Sequence, residues 1–162
     1  MIRLNDIHAI KCIMEAAHVQ FVPQLHYAIA DYDSNDYLRG GVLYTDIRSG
    51  SVMMHVAGFR RYWASKSLLW LAFDYPFNML KVKKIFAPVP EVNWRARHLD
   101  LHLGFKIECL LDDVYAGAYN DMNGMYVMSM KREDCRWLNM KRPSIVFASP
   151  EQTNMFERPT VH

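Results

Sequence analysis

Arg60, Arg61 and Lys66 crowd one stretch, FRRYWASKS, interleaved with Trp63, Ala64 and the hydroxyls of Ser65 and Ser67, immediately before an apolar run that reads as a helix. Cations at a helix N-terminus oppose the macrodipole by roughly 0.3 to 1 kcal/mol each, so their placement hints at an anionic ligand; the competing reading is an ordinary solvated loop. His55 stands a few residues upstream in SVMMHVAG. Its ordinary pKa of about 6.5 suits proton removal near neutrality, against the alternative of a hydrogen-bonded core or surface histidine. His98 and His102 lie four apart on one helical face, a spacing that can chelate a metal. No third ligand accompanies them and HLDLH lacks the Glu of a metalloprotease helix, so no metal is expected.

Composition sets outer bounds on these groups. The 162 residues suit one domain, and a 51% hydrophobic, 22% charged content supplies a core. A formal charge of +2, from 19 basic and 17 acidic side chains, gives no field of the kind nucleic-acid binders carry. Cys12, Cys109 and Cys135 are too few and too scattered for a disulfide framework or a zinc site. A reducing cytoplasm is the expected setting, with no nucleic-acid partner. The first residues lack the apolar run of a signal peptide, and LLWLAF is too short to cross a bilayer, so no membrane association is expected.

The elements that must position these side chains follow from periodicity. Asn5 or Asp6 caps a helix over about 6 to 18, with Ile7, Ile10, Ile13, Met14 and Ala17 on one face. HYAIADY, GGVLYTDI and SVMMHVAG read as three antiparallel strands separated by the turn signals DSND and RSG. Residues 65 to 80 return to helical character, with Ser65 or Ser67 as cap and Pro76 forcing a kink or end near Tyr75. The strand KKIFAPVP comes next, then a helix over about 92 to 103 closed by Gly104, then FKIECLLDDVY and MYVMSMK as two strands. This order predicts an α/β domain with a mixed sheet over residues 1–138. Residues 139–162 are expected to be an extended or disordered tail, with SIVFA docking as an edge strand.

The segment NWRARHLDLHLGF places Asn93, Ala96, Leu103, Gly104 and Phe105 at the spacing of a motif of the GNAT N-acetyltransferase superfamily, closest to its ribosomal-protein and antibiotic acetyltransferase branch. Together with the strand, loop and helix from HVAG to LLWLAFDYPF, the chain resembles that family over about residues 5 to 135. The resemblance implies the GNAT fold, a mixed and mostly antiparallel sheet flanked by helices, and transfer of an acetyl group from acetyl-CoA to an amine of a protein or small molecule. It implies that Val56 and Ala57 face the pantetheine arm, that Arg60, Arg61, Trp63, Ala64, Ser65, Lys66 and Ser67 form the pyrophosphate loop, and that Asn93 opens a helix beside the cofactor. The family's loop carries Gly at the position of Trp63 and Gly or Ala at that of Ser65, so the loop is degenerate, and Trp63 is expected to obstruct it.

Acyl transfer needs a base or a water chain for the amine proton, an oxyanion donor, and often an acid for the departing thiolate. His55 is the candidate base. The family's usual acid is a Tyr seven residues after the Asn; Asp100 stands there, and a carboxyl can serve only if burial raises its pKa strongly. Tyr115, Tyr119 and Tyr126 are further candidates for that proton. The alternatives that stay open are a GNAT-fold module that has lost transfer, and a coenzyme A enzyme with another acyl donor in a channel lined by Met53, Met54 and Met128. The short VQFVP after the first helix suggests an open acceptor cleft, and the last strands and tail offer an edge for a homodimer.

Overall fold

The computed structural model describes residues 1–18, 27–115 and 124–157, and the side chains of these up to residue 154. Seven strands form one sheet in the order β1-β2-β3-β4-β5-β7-β6. They are β1 (Ile2–Leu4), β2 (Tyr27–Tyr32), β3 (Leu38–Thr45), β4 (Ser51–Gly58), β5 (Lys84–Pro90), β6 (Lys106–Leu111) and β7 (Met125–Lys131). Every pairing is antiparallel except that of β4 with β5. Helix α1 (Ile7–Ala16) covers one face, and α2 (Lys66–Asp74) and α3 (Trp94–Leu103) pack against the core of the other.

Strand alternation divides the core in two. Val42, Tyr44, Val52 and Met54 point toward α2, where they meet Leu68, Leu71 and Phe73. Leu43 and Ala57 point the opposite way and pack with Ile10, Ile13 and Met14 of α1. Helix α1 starts as its sequence dictates: Asp6 accepts from the Ala9 N–H at 2.8 Å, and the Tyr32 hydroxyl donates to the same carboxylate at 2.8 Å. Ile7, placed by periodicity on the apolar face, is instead 59% exposed, because it occupies the first turn.

Pro76 ends α2 through its missing N–H. The Ala72 carbonyl, which residue 76 would otherwise satisfy, accepts from the Tyr44 hydroxyl at 2.7 Å. The chain widens there into a π turn, Tyr75–Met79, with Leu80 N–H bonded to the Tyr75 carbonyl at 2.9 Å.

The same chemistry shapes the centre of the sheet. β4 and β5 pair in parallel for three residues, from Ser51↔Lys84 to Met53↔Phe86, and then part. Lys84 donates its N–H toward β4, to Gly50, while Glu91 donates toward β7, to Gly124. Alternation therefore turns the amide positions of Pro88 and Pro90 toward β4, where proline has no hydrogen to give. Both prolines still pair with β7, opposite Val127 and Met125. Zipping of β4 onto β5 beyond Phe86 is thus denied its donors, and a wedge stays open.

Two elements escape the sequence reading. β1 is a three-residue edge strand, too short for its alternation of buried Ile2 and Leu4 to register as a period. The tail is extended as far as Ala148, where Phe147 forms a parallel bridge to Ile2 and covers the β1 edge. It then closes on helix α4 (Pro150–Glu157), a correction to the expectation of an extended tail. The local reason is Pro150 at the first helical position after Ser149, whose hydroxyl accepts from the Gln152 N–H at 3.4 Å.

Candidate functional site

The wedge between β4 and β5 opens toward the loop that enters α2. Val56 and Ala57 lie beyond the last β4–β5 pair, opposite Val42 and Gly41 of β3, so β4 keeps a partner on one edge and loses it on the other. After Gly58 the chain turns through residues 59–65 and starts α2 at its cap, Ser65, whose hydroxyl accepts from the Leu68 N–H at 3.1 Å. The Leu69 N–H is taken by the Ser65 carbonyl at 2.9 Å. The amides of Lys66 and Ser67, in the first turn, are the donors such a helix start offers to an anion.

The loop reaches this geometry without glycine. Tyr62 takes the left-handed turn at φ 57°, a conformation costing an ordinary residue on the order of 1 kcal/mol or more. Trp63, expected to obstruct the loop, folds away from the wedge: its indole lies over Gly40 of β3 and Gly58 of β4, on the side of β4 opposite to β5. A Cβ on Gly40 would come within 2.6 Å of the indole and one on Gly58 would overlap it. The glycines that the loop lacks are therefore found beneath it, where they admit a large anchor. No sequence motif pointed to this displacement, since the contact with Gly40 joins residues far apart in the chain.

The cationic side chains surround the loop rather than fill it. The Arg60 guanidinium lies over the Tyr37 ring at 5.1 Å and that of Arg61 over Tyr62 at 4.9 Å. Lys66 and Ala64 are exposed, and the Ser67 hydroxyl donates to the Ser144 carbonyl in the tail at 3.2 Å. Ser65 and Ser67 thus already have protein partners, leaving backbone amides and long cations as the groups available to phosphate.

On the opposite face of the sheet, His55 lies beside Thr45, whose hydroxyl is 2.8 Å from its Nε2. The residue is 7% exposed, and burial pushes the imidazole down to about 4. It is neutral at physiological pH, yet the burial that keeps it so also makes it a weak acceptor for an ammonium proton. The expectation of a catalytic base is weakened on that physical ground.

Asp100 moves the other way. Helix α3 is capped by Asn93, whose Oδ1 accepts from the Ala96 N–H at 3.1 Å, and is closed by Gly104 at φ 108°. Its inward positions are Ala96, Asp100 and Leu103, and Asp100 is the one residue of the helix that is buried. Burial alone pushes its carboxyl up to about 7. Burial thus shifts Asp100 in the direction that proton donation near neutral pH calls for.

A cleft of about 300 Å³ lies beside the start of α3, lined by His18, Pro90, Val92, Asn93, Trp94 and Arg95. It connects the end of α1 with the far end of β5, so Asn93 belongs both to the helix cap and to a cavity wall. The sequence reading did not connect His18 or Trp94 to a site. Tyr126 is half-buried under the Arg97 guanidinium at 4.6 Å, and burial raises Tyr115. Tyr119 and the VQFVP segment lie outside the described residues. His98 is exposed and the His102 carbonyl accepts from Arg136 at 2.6 Å; among the described residues no cluster of His, Cys, Asp or Glu is placed to hold a metal ion. No described helix is long and apolar enough to cross a membrane.

No protein-family profile and no curated protein matches the sequence. Solved structures do match in shape. A mutant form of the spermidine/spermine N-acetyltransferase SpeG from Vibrio cholerae superposes with a TM-score of 0.67 at 17% identity, covering 86% of this chain and 97% of that one. The dodecameric form of the spermidine N-acetyltransferase from the same organism gives 0.65 at 17% identity over 86% and 96%. A further point mutant gives 0.60 at 21% identity over 72% and 69%. The chain has the GNAT N-acyltransferase fold, a mixed, mostly antiparallel sheet flanked by helices.

Proposed function

We propose that the protein transfers an acetyl group from acetyl-CoA to an amine. The observation that carries this reading is the wedge between β4 and β5, kept open by Pro88 and Pro90 and leading to the N-terminus of α2. A pantetheine arm is an extended amide chain, and the unpaired edge of β4 from Met54 to Gly58, with Val56 and Ala57 at its centre, supplies backbone groups that suit it. The amides of Lys66 and Ser67, with Arg60, Arg61 and Lys66 around them, suit the diphosphate. Bound there, acetyl-CoA supplies the activated acyl group. Trp63 and Ala64 shape the loop, and Asn93 fixes the start of α3 beside the reacting end.

In this reading Asp100 is the acid that donates its proton to the departing sulfur, since burial keeps it partly protonated at neutral pH. The amine proton leaves through water, and His55, neutral and beside Thr45 on the opposite face of the sheet, takes no part in its removal. The solved neighbours are named for spermidine and spermine, which makes a polyamine the first acceptor to test here, beside protein amines. The likeness to ribosomal-protein and antibiotic acetyltransferases rests on the α3 motif. Assembly into a homo-oligomer through the β6 edge, where Ile107, Leu110 and Leu111 are 48%, 40% and 42% exposed, belongs to the same proposal.

Isothermal titration with acetyl-CoA tests it. Saturable heat, with acetylated product when spermidine or a lysine peptide is added, upholds the enzyme; heat without transfer favours a binding module that has lost catalysis. Absence of heat at millimolar cofactor removes the proposal.

A further inference from the structure

A left-handed tyrosine in a loop without glycine must be held by something, and the holding group lies outside the loop. Arg39, near the start of β3, donates from one terminal nitrogen to the Tyr62 carbonyl at 2.8 Å. Its other terminal nitrogen lies 3.7 Å from Asp31 Oδ2. Asp31 is 3% exposed, and that oxygen accepts no hydrogen bond, so the Arg39 guanidinium is the counter-charge facing it. The second carboxylate oxygen of Asp31 accepts from the Met1 ammonium at 3.3 Å.

We propose that Arg39, oriented by the buried Asp31, is a positioning residue for the anion-binding loop. Tying down the Tyr62 carbonyl fixes the plane of the 62–63 peptide, and with it the direction in which the chain leaves for Trp63 and the Ser65 cap. The amides of Lys66 and Ser67 are aimed by that departure. Arg60 and Arg61 do not share the task, because their guanidinium groups lie over aromatic rings. A planar guanidinium suits it, since one terminal nitrogen donates to the Tyr62 carbonyl while the other faces the Asp31 carboxylate, a fixed geometry that the point charge of lysine does not hold. The arginine thus replaces glycine by a different route: glycine makes a left-handed turn cheap, whereas Arg39 makes an expensive one secure. The ligand named for the loop rests on the acetyl-CoA reading; the positioning itself does not.

The test compares wild type, Arg39→Met, and Arg39→Met combined with Tyr62→Gly, by hydrogen exchange of the 59–67 peptide without ligand and by coenzyme A titration. Loss of one charge-assisted hydrogen bond is expected to speed exchange in the peptide about tenfold and to raise the coenzyme A Kd by about the same factor. In turnover assays KM rises while kcat stays within about twofold, as expected when binding geometry rather than chemistry is lost. Tyr62→Gly restores most of the affinity in the Arg39→Met background, because glycine adopts the turn unaided. Unchanged exchange in Arg39→Met overturns the proposal. So does an affinity loss that Tyr62→Gly leaves unrepaired, which makes Arg39 a direct phosphate ligand. If wild type binds no coenzyme A, the enzymatic reading fails, and the exchange comparison still decides the positioning role. Should Arg39→Met not fold, Asp31→Asn removes the orienting carboxylate and is read the same way.

Discussion

Helices α2 and α3 pack against the same core, and each begins with a side-chain cap, yet they bury opposite kinds of residue. α2 buries Leu68, Leu71, Ala72 and Phe73, a face made to hold the sheet. α3 buries Asp100 alone and leaves Trp94 and Leu101 61% and 45% exposed. One helix is an anchor whose N-terminus happens to be available to an anion. The other places a carboxyl in the core, the burial that the proposed acid role requires.

The most direct way to break this contrast is to exchange stability losses. Leu71→Ala in α2 is expected to cost about 3 kcal/mol in urea denaturation, as for a buried leucine whose neighbours cannot collapse, while Leu101→Ala in α3 stays within about 0.5 kcal/mol. Equal costs would contradict the division of labour.

Asp100→Asn sharpens the contrast by separating stability from activity. The folded carboxyl titrates near 7 against 3.8 when free, so its favourable contribution is complete below pH 3.8 and is lost as the pH rises through 7. Removing the charge should therefore stabilise the protein by about 1 to 3 kcal/mol at pH 8 and lower kcat about a hundredfold. A stabilised variant with full activity would deny Asp100 the acid's role.

His55 provides the mirror image on the α1 face. The unfolded chain takes up a proton near pH 6.5 that the folded one refuses until about 4, so His55 weakens the fold as pH falls through that interval. His55→Gln is expected to flatten this acid loss in thermal melts while leaving kcat within about threefold; a hundredfold fall would restore His55 as the base. The smallest effect belongs to the wedge: Pro88→Val returns one N–H to the β4 side of β5, but Pro90 still denies the next donor and the strands stay apart, so stability should change by less than about 0.5 kcal/mol. A larger gain, with loss of coenzyme A binding, would mean that β4 and β5 had zipped together.

How far the sequence foretold this differs between the same regions. A serine cap at position 65 or 67, the break at Pro76 and the motif from Asn93 to Phe105 were legible because each rests on local backbone chemistry that a few neighbouring residues dictate. The burial of Asp100 was legible only as a condition, since desolvation depends on what the rest of the fold places around it. Trp63 on Gly40, and Arg39 on Tyr62, were not legible at all: both join segments about twenty residues apart through a hairpin register that spacing does not reveal. The loop therefore read as degenerate, because its missing glycines were sought within it.

A crystal structure of the protein soaked with coenzyme A tests the central claim most directly. The account predicts a pantetheine arm between β4 and β5 alongside Val56 and Ala57, with the diphosphate on the amides of Lys66 and Ser67 and the Trp63 indole unmoved from its glycines. Coenzyme A bound elsewhere, or a wedge closed by β4 and β5 in its presence, would contradict it.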